Sequence, residues 1–140
     1  MTIALTGTGA MAQENGAGRP HDLRIRMTIE GQVIAATLLD NPTSRDFASM
    51  LPLTVTLSDY ASTEKISDLP RKLATDAAPP GSKPSAGMIA YYAPWGNLAV
   101  FYNDFAYSRG LIQIGSIDGD LAVLKRSGSL KVKIEQLGQR

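Results

Sequence analysis

The sequence predicts a mainly β domain, a small closed barrel of about eight strands with one or two short helices. Three observations lead there. The segments Leu23–Glu30 and Leu130–Glu135 alternate strictly between apolar and polar residues, the pattern of half-buried strands. The stretch Gly87–Asp104, GMIAYYAPWGNLAVFYND, reads as two apolar strands, Met88–Ala93 and Leu98–Tyr102, around a reversal at Pro94-Trp95-Gly96-Asn97. Turn pairs such as Gly31-Gln32, Asp118-Gly119 and Ser127-Gly128 recur at short spacing.

Residues Met1–Asp22 carry no apolar period and are set apart from the domain, which is placed at 23–137. Two readings stand for this leader. It is a disordered extension, or it is the remnant of an export signal, since Ala10-Met11-Ala12 matches an A-x-A cleavage pattern. The first leaves the protein in the cytoplasm; the second sends it to the periplasm.

In Leu23–Glu30, Leu23, Ile25, Met27 and Ile29 share one face, and Arg24, Arg26, Thr28 and Glu30 the other. Gly31-Gln32 turns the chain into a second strand, Val33–Leu39, which Asp40-Asn41-Pro42 ends. Thr43–Leu51 is the helix candidate. Thr43 and Asp46 are spaced as a capping box, Phe47, Met50 and Leu51 share a face, and Pro52 stops it. Strands follow at Leu53–Leu57 and Glu64–Leu69. Arg71–Ala86, with Pro79, Pro80, Gly81 and Pro84, is a long surface loop, and loops of that length often carry function. After the central hairpin, Asn103–Gly110 is a second loop with room for one helical turn. Leu111–Ile117 and Leu121–Lys125 are expected to form a hairpin across Asp118-Gly119. If the first and last strands pair antiparallel, the favoured register sets Arg26 against Glu135 and Glu30 against Lys131. A shift by one pair would oppose Arg26 and Lys133, at about 0.2–1 kcal/mol. That pairing would close the sheet and remove its edges.

Composition narrows the chemistry. The chain has 140 residues, 44% apolar and 19% charged, with a formal net charge of +1, which gives no strong steering of nucleic acid. No run of about 18 apolar residues predicts a membrane span. There is no Cys and one His, His21, in the leader, so a Ser-His-Asp triad within the domain and a multi-His or Cys-based metal site are excluded. Neither metal nor cofactor is expected. The acids Asp59, Asp104, Asp118 and Asp120 lie scattered at turns, which their turn chemistry explains. Gly7 and Gly9 have no strand before them or helix after, so they form no nucleotide loop. The basic residues Lys125, Arg126, Lys131 and Lys133 read as a solvated strand face, since no aromatics interleave them.

Several stretches together resemble the bacterial cyclophilin-like domain family: Asn41-Pro42-Thr43-Ser44-Arg45-Asp46-Phe47 running into Leu51-Pro52-Leu53, Glu64-Lys65-Ile66 before Leu69-Pro70, Gly87–Phe101 with its YYAPWGN core, and Gly110–Gly115. The resemblance extends from about Leu23 to Leu124 and implies a closed, eight-stranded cyclophilin-type barrel. It carries over no catalytic residue. Nothing like the F-H-R-x-I or Gln-Gly-Gly motifs of true cyclophilins occurs here, and the domain has no His. Fold likeness alone is a weak warrant for function.

The expectation is therefore a module that binds a small molecule or short peptide, without a strong catalytic apparatus. Its site is placed between the Trp95 turn and the Pro-rich loop, lined by Glu64, Tyr92, Trp95 and Tyr102. Trp95 at a turn tip suits a pocket wall; the competing reading has it plugging the barrel mouth. Tyr92 and Tyr102 are placed on one face with Met88, Ala90 and Val100, offering hydroxyls to a ligand or, alternatively, to the backbone. Glu64 is a candidate base or ligand contact, or else the partner of a Lys or Arg. A weak prolyl isomerase is the alternative, with Arg45 and Arg109 as the nearest candidate groups. A structural or oligomerisation module with an apolar interface and no pocket is the other.

Overall fold

The computed structural model describes residues 21–137. The expected leader falls outside the described residues apart from His21 and Asp22. Ten strands are present: β1 (Leu23–Ile29), β2 (Gln32–Leu38), β3 (Leu53–Tyr60), β4 (Glu64–Asp68), β5 (Gly81–Ser82), β6 (Met88–Tyr92), β7 (Asn97–Phe101), β8 (Ser108–Arg109), β9 (Leu111–Ile117) and β10 (Leu130–Gln136). Eight of them close an antiparallel barrel in the order β1-β10-β3-β4-β7-β6-β9-β2, while β5 and β8 pair only with each other.

Strand alternation builds the core. Ile25, Met27 and Ile29 of β1 point inward, as do Val132 and Ile134 of β10, and they join Leu57, Leu98, Val100 and Ile114 in one buried cluster. Each such side chain removed from water contributes about 1.5–3 kcal/mol. The outward partners settle the seam. Arg26 stands opposite Glu135, and its Nε and Nη2 donate to Glu135 Oε1 at 3.3 and 3.1 Å, the register the charge pattern favours. Glu30 lies beyond the ladder, in the left-handed region at φ 51°, and pairs with Arg126 at 2.7 Å.

The helix is α1 (Pro42–Ala48), one residue earlier at its start and three shorter at its end than the pattern suggests. Its cap is Asn41, whose Oδ1 accepts from the Ser44 N–H at 2.8 Å, and Pro42 occupies the first turn, where a missing N–H costs nothing. Thr43 is not the cap; its hydroxyl donates to the Ala74 carbonyl at 2.7 Å. Asp46 likewise turns away from any capping box. It accepts two bonds from Arg71, at 3.0 and 2.8 Å, and one from the Ala74 N–H at 2.7 Å, which holds its carboxyl below the usual range. The start of the long Pro-rich loop is thereby tied to the helix, and Leu73 is buried with its N–H bonded to the Tyr91 hydroxyl.

Two other segments depart from the sequence pattern. Leu121–Lys125 is no strand: Ala122–Lys125 is a 3-10 turn that buries the adjacent residues Val123 and Leu124, which a two-faced strand could not do. Asp120 Oδ1 starts the turn by accepting from the Ala122 N–H. Asn103–Gly110 holds the short strand β8 instead of a helical turn. It zips onto the Pro-rich loop through β5, with further bonds from Phe105 N–H to the Pro84 carbonyl and Gly110 N–H to the Pro80 carbonyl.

The central hairpin β6–β7 is buried on both faces. Ile89, Tyr91, Leu98 and Val100 enter the barrel core, while Met88, Ala90, Ala99 and Phe101 form a second cluster outside it with Leu111. This explains a nearly unbroken apolar run in an antiparallel sheet.

Candidate functional site

The outer cluster is where the candidate residues meet. Pairing of β4 with β7 sets Glu64 opposite Phe101, and pairing of β6 with β7 sets Tyr92 opposite Asn97. Alternation then puts Glu64, Tyr92, Asn97 and Phe101 on one outward face. A cleft of about 250 Å³ lies over it. Its floor is Phe101 and Leu111, its rim Tyr60 at the end of β3 and Ala61 in the β3–β4 turn, and its far wall Phe105 from the second loop and Ser108 of β8.

Trp95 stands at the mouth. The turn that carries it is closed by bonds from the Trp95 and Gly96 N–H groups to the Tyr92 carbonyl, with Gly96 at φ 70°. The indole is 57% exposed, so it does not plug the barrel. Two tyrosines meet it edge to face: Tyr60 at 5.5 Å and 88°, Tyr92 at 5.3 Å and 80° between ring planes.

Two residues that line the cleft have polar groups without partners. Glu64 is partly buried, and among the described residues nothing donates a hydrogen bond to its carboxylate or pairs with it. Burial alone pushes its pKa up to about 7. Asn97 is only 3% exposed. Its Nδ2 donates to the Leu98 carbonyl at 3.1 Å, which fixes the orientation of the amide because a carbonyl can only accept. Its Oδ1 is buried and accepts from no group.

The structure brings Glu64, Tyr92 and Trp95 into this cleft and leaves Tyr102 out. Antiparallel pairing matches even positions of β6 with odd positions of β7, so Tyr92 and Tyr102 lie on opposite faces. Met88 and Ala90 stay with Tyr92, whereas Val100 lies inward with Tyr102. The Tyr102 hydroxyl donates to Asp59 Oδ1 at 2.8 Å, and burial first, then that aspartate, pushes its pKa up to about 12. The same Asp59 oxygen receives Lys65 Nζ at 2.9 Å. Lys65, next to Glu64, points inward and is fully buried. The Pro-rich loop is not a wall of the cleft either. It lines a separate cavity of about 260 Å³ with Asn41, Thr43 and Gln113.

Arg45 pairs with Asp40, and neither Arg45 nor Arg109 lines the Trp95 cleft, so the isomerase alternative has no arginine there. No group of three or more His, Cys, Asp or Glu placed to hold a metal occurs among the described residues. No helix among them is long and apolar enough to cross a membrane. Sequence reasoning missed Tyr60, Asn97 and Phe105. Read as a turn residue, Asn97 hides that it stands two residues from Ala99 and four from Phe101, the spacing that puts all three on one strand face.

The comparisons agree with this architecture. The model of the cyclophilin-like family matches residues 27–135. No curated protein matches the chain. The solution structure of the hypothetical protein AF2241 from Archaeoglobus fulgidus is similar, with a TM-score of 0.65 at 18% sequence identity, over 86% of this chain and 99% of that one. At that identity the likeness speaks for the fold. With a family match over most of its length and a closed eight-stranded barrel, this chain belongs to the cyclophilin-like family.

Proposed function

We propose that the domain is a binding module for a small molecule or a short peptide, with its site in the Trp95 cleft. One observation carries this reading: Glu64 of β4 and the hairpin residues Tyr92, Trp95 and Asn97 converge on one recess, whose lining includes two side chains with unsatisfied polar groups. Buried polar groups are normally hydrogen-bonded, so an unmatched, partly buried carboxylate in an aromatic recess marks a place where a ligand supplies the partner. Aromatic walls with a few converging polar groups are the usual make-up of ligand sites, and about 250 Å³ suits a small ligand or a single side chain.

The test is a fragment screen by saturation-transfer NMR, read together with Trp95 emission. Trp95 is the only tryptophan, so its fluorescence reports this site alone. Hits that shift the emission and are lost in Tyr92→Ala, with the barrel's amide spectrum otherwise retained, support the reading. A screen with no hit, or hits indifferent to Tyr92→Ala, overturns it.

A further inference from the structure

We propose that the cleft receives the head of a small primary alkylammonium ion, its N–H groups donating to the two oxygens of the Glu64 carboxylate. This rests on the reading of the cleft as a binding site and names what enters it.

The polar groups left unmatched there are acceptors. Asn97 Oδ1 can only accept, and its amide cannot flip to offer Nδ2 without giving up the bond to the Leu98 carbonyl. The ionised carboxylate of Glu64 also only accepts. A ligand that satisfies both oxygens of that carboxylate brings at least two N–H or O–H donors on one small centre, and a primary ammonium brings three. An anion would meet two acceptors and no cation, since no Lys, Arg or His lines the cleft. The walls agree on the sign of charge. Tyr60, Tyr92 and Trp95 surround the mouth, and aromatic faces attract cations, tryptophan most strongly. The apolar floor of Phe101 and Leu111 suits a short alkyl chain.

Glu64 is faced by Tyr60 from β3 and Phe101 from β7, with Tyr92 reaching the cleft from β6. Tyr102 senses its charge from the inner side. Lys65 and Asp59 lie close in sequence but are spent on each other. Glu64 is thus the one acid in the cleft, and ammonium binding should strengthen as pH rises through about 7, where it ionises.

The experiment titrates the intact protein with n-butylammonium, tetramethylammonium, n-butanol and butyrate, following Trp95 emission and amide shifts around Asn97 at about pH 8 and about pH 6. The expected result is saturable binding of n-butylammonium, weaker by about tenfold at the lower pH and by at least about tenfold in Glu64→Gln. Tetramethylammonium, which has no N–H, should bind more weakly than the primary amine, and butyrate not at all. A lysine amide with a blocked α-amino group then separates the two sources of such a head: binding as tight as that of butylammonium points to a peptide side chain, weaker binding to a free amine. If butanol or butyrate matches the amine, or Glu64→Gln changes nothing, the proposal is overturned while the cleft remains a binding site. If all four probes fail but screening hits occupy the cleft, the ammonium inference alone falls; an empty screen removes both.

Discussion

Glu64 and Lys65 are neighbours whose opposite placement follows from the two-residue period of a strand. Glu64 faces the cleft with no partner, so its acid form is favoured in the folded state, where its pKa is about 7 against an ordinary 4.5. The sign follows: stability from this group is complete below pH 4.5 and is lost as pH rises through about 7. For a half-buried carboxyl the loss should be about 1–2 kcal/mol after solvent screening. Urea unfolding at a series of pH values should show this decline in the wild type and not in Glu64→Gln. Lys65 sits inside the barrel, where Asp59 and the Gly128 carbonyl, each at 2.9 Å, hold its ammonium. Hydrogen bonds from Lys65 first and Tyr102 second keep the Asp59 carboxyl below its ordinary 3.8. The stability it contributes is present above that value and is lost as pH falls through the lowered one. Asp59→Asn should therefore lower the melting temperature, while Lys65→Met, which removes the buried charge and keeps the volume, should be tolerated far better than Lys65→Ala. A calorimetric ranking of the three variants checks this. The lysine's direction was hidden in the sequence, because a charged residue in an alternating segment is normally assigned to the solvent face.

Among the elements, the β3–β4 turn departs most from local preference. Ala61 and Ser62 both lie in the left-handed region, at φ 56° and 55°, although neither is Gly or Asn. A residue with a Cβ pays about 1–2 kcal/mol there. Ser62→Gly should raise unfolding stability by about 1 kcal/mol, measured by urea denaturation. The helix was legible in place but not in detail. Pro42 suits a first turn, so the cap falls on Asn41, and Thr43 and Asp46 are freed to bind the following loop. Asp46→Ala should loosen that loop at a cost of about 1–2 kcal/mol, seen as faster amide exchange at Leu73 and Ala74. The tie could not be read in advance, since Asp46 and Arg71 are joined only by the fold. The 3-10 turn at Ala122–Lys125 escapes the sequence for a related reason: Leu121–Leu124 is a short apolar run after Asp118-Gly119, and such a run does not by itself distinguish a strand from a turn that buries Val123 and Leu124 together.

For the molecule as a whole, closure was the most legible feature. The strict alternation of the first and last strands gave two half-buried ribbons, and opposite charges on their outer faces selected the Arg26–Glu135 register. The seam between β2 and β9 rests on fewer paired residues and on a glycine. A Cβ at Gly115 would collide with the Thr37 carbonyl and meet Leu38 Cα at 3.2 Å. Gly115→Ala should cost about 1–3 kcal/mol and show first as exchange of the β2 amides. The cleft was only half legible. Tyr60, Glu64, Asn97 and Phe105 come from four segments, and only strand pairing brings them together.

The parity of β4 has a consequence for ligand choice. A slip of one residue against β3 and β7 would exchange the two neighbours, presenting an ammonium to the recess and sending a carboxyl into the core. The polarity of the recess is therefore set by strand phase as much as by residue identity. Relatives that keep the barrel but add or lose one residue in the turn before Glu64 would be expected to prefer ligands of the opposite sign.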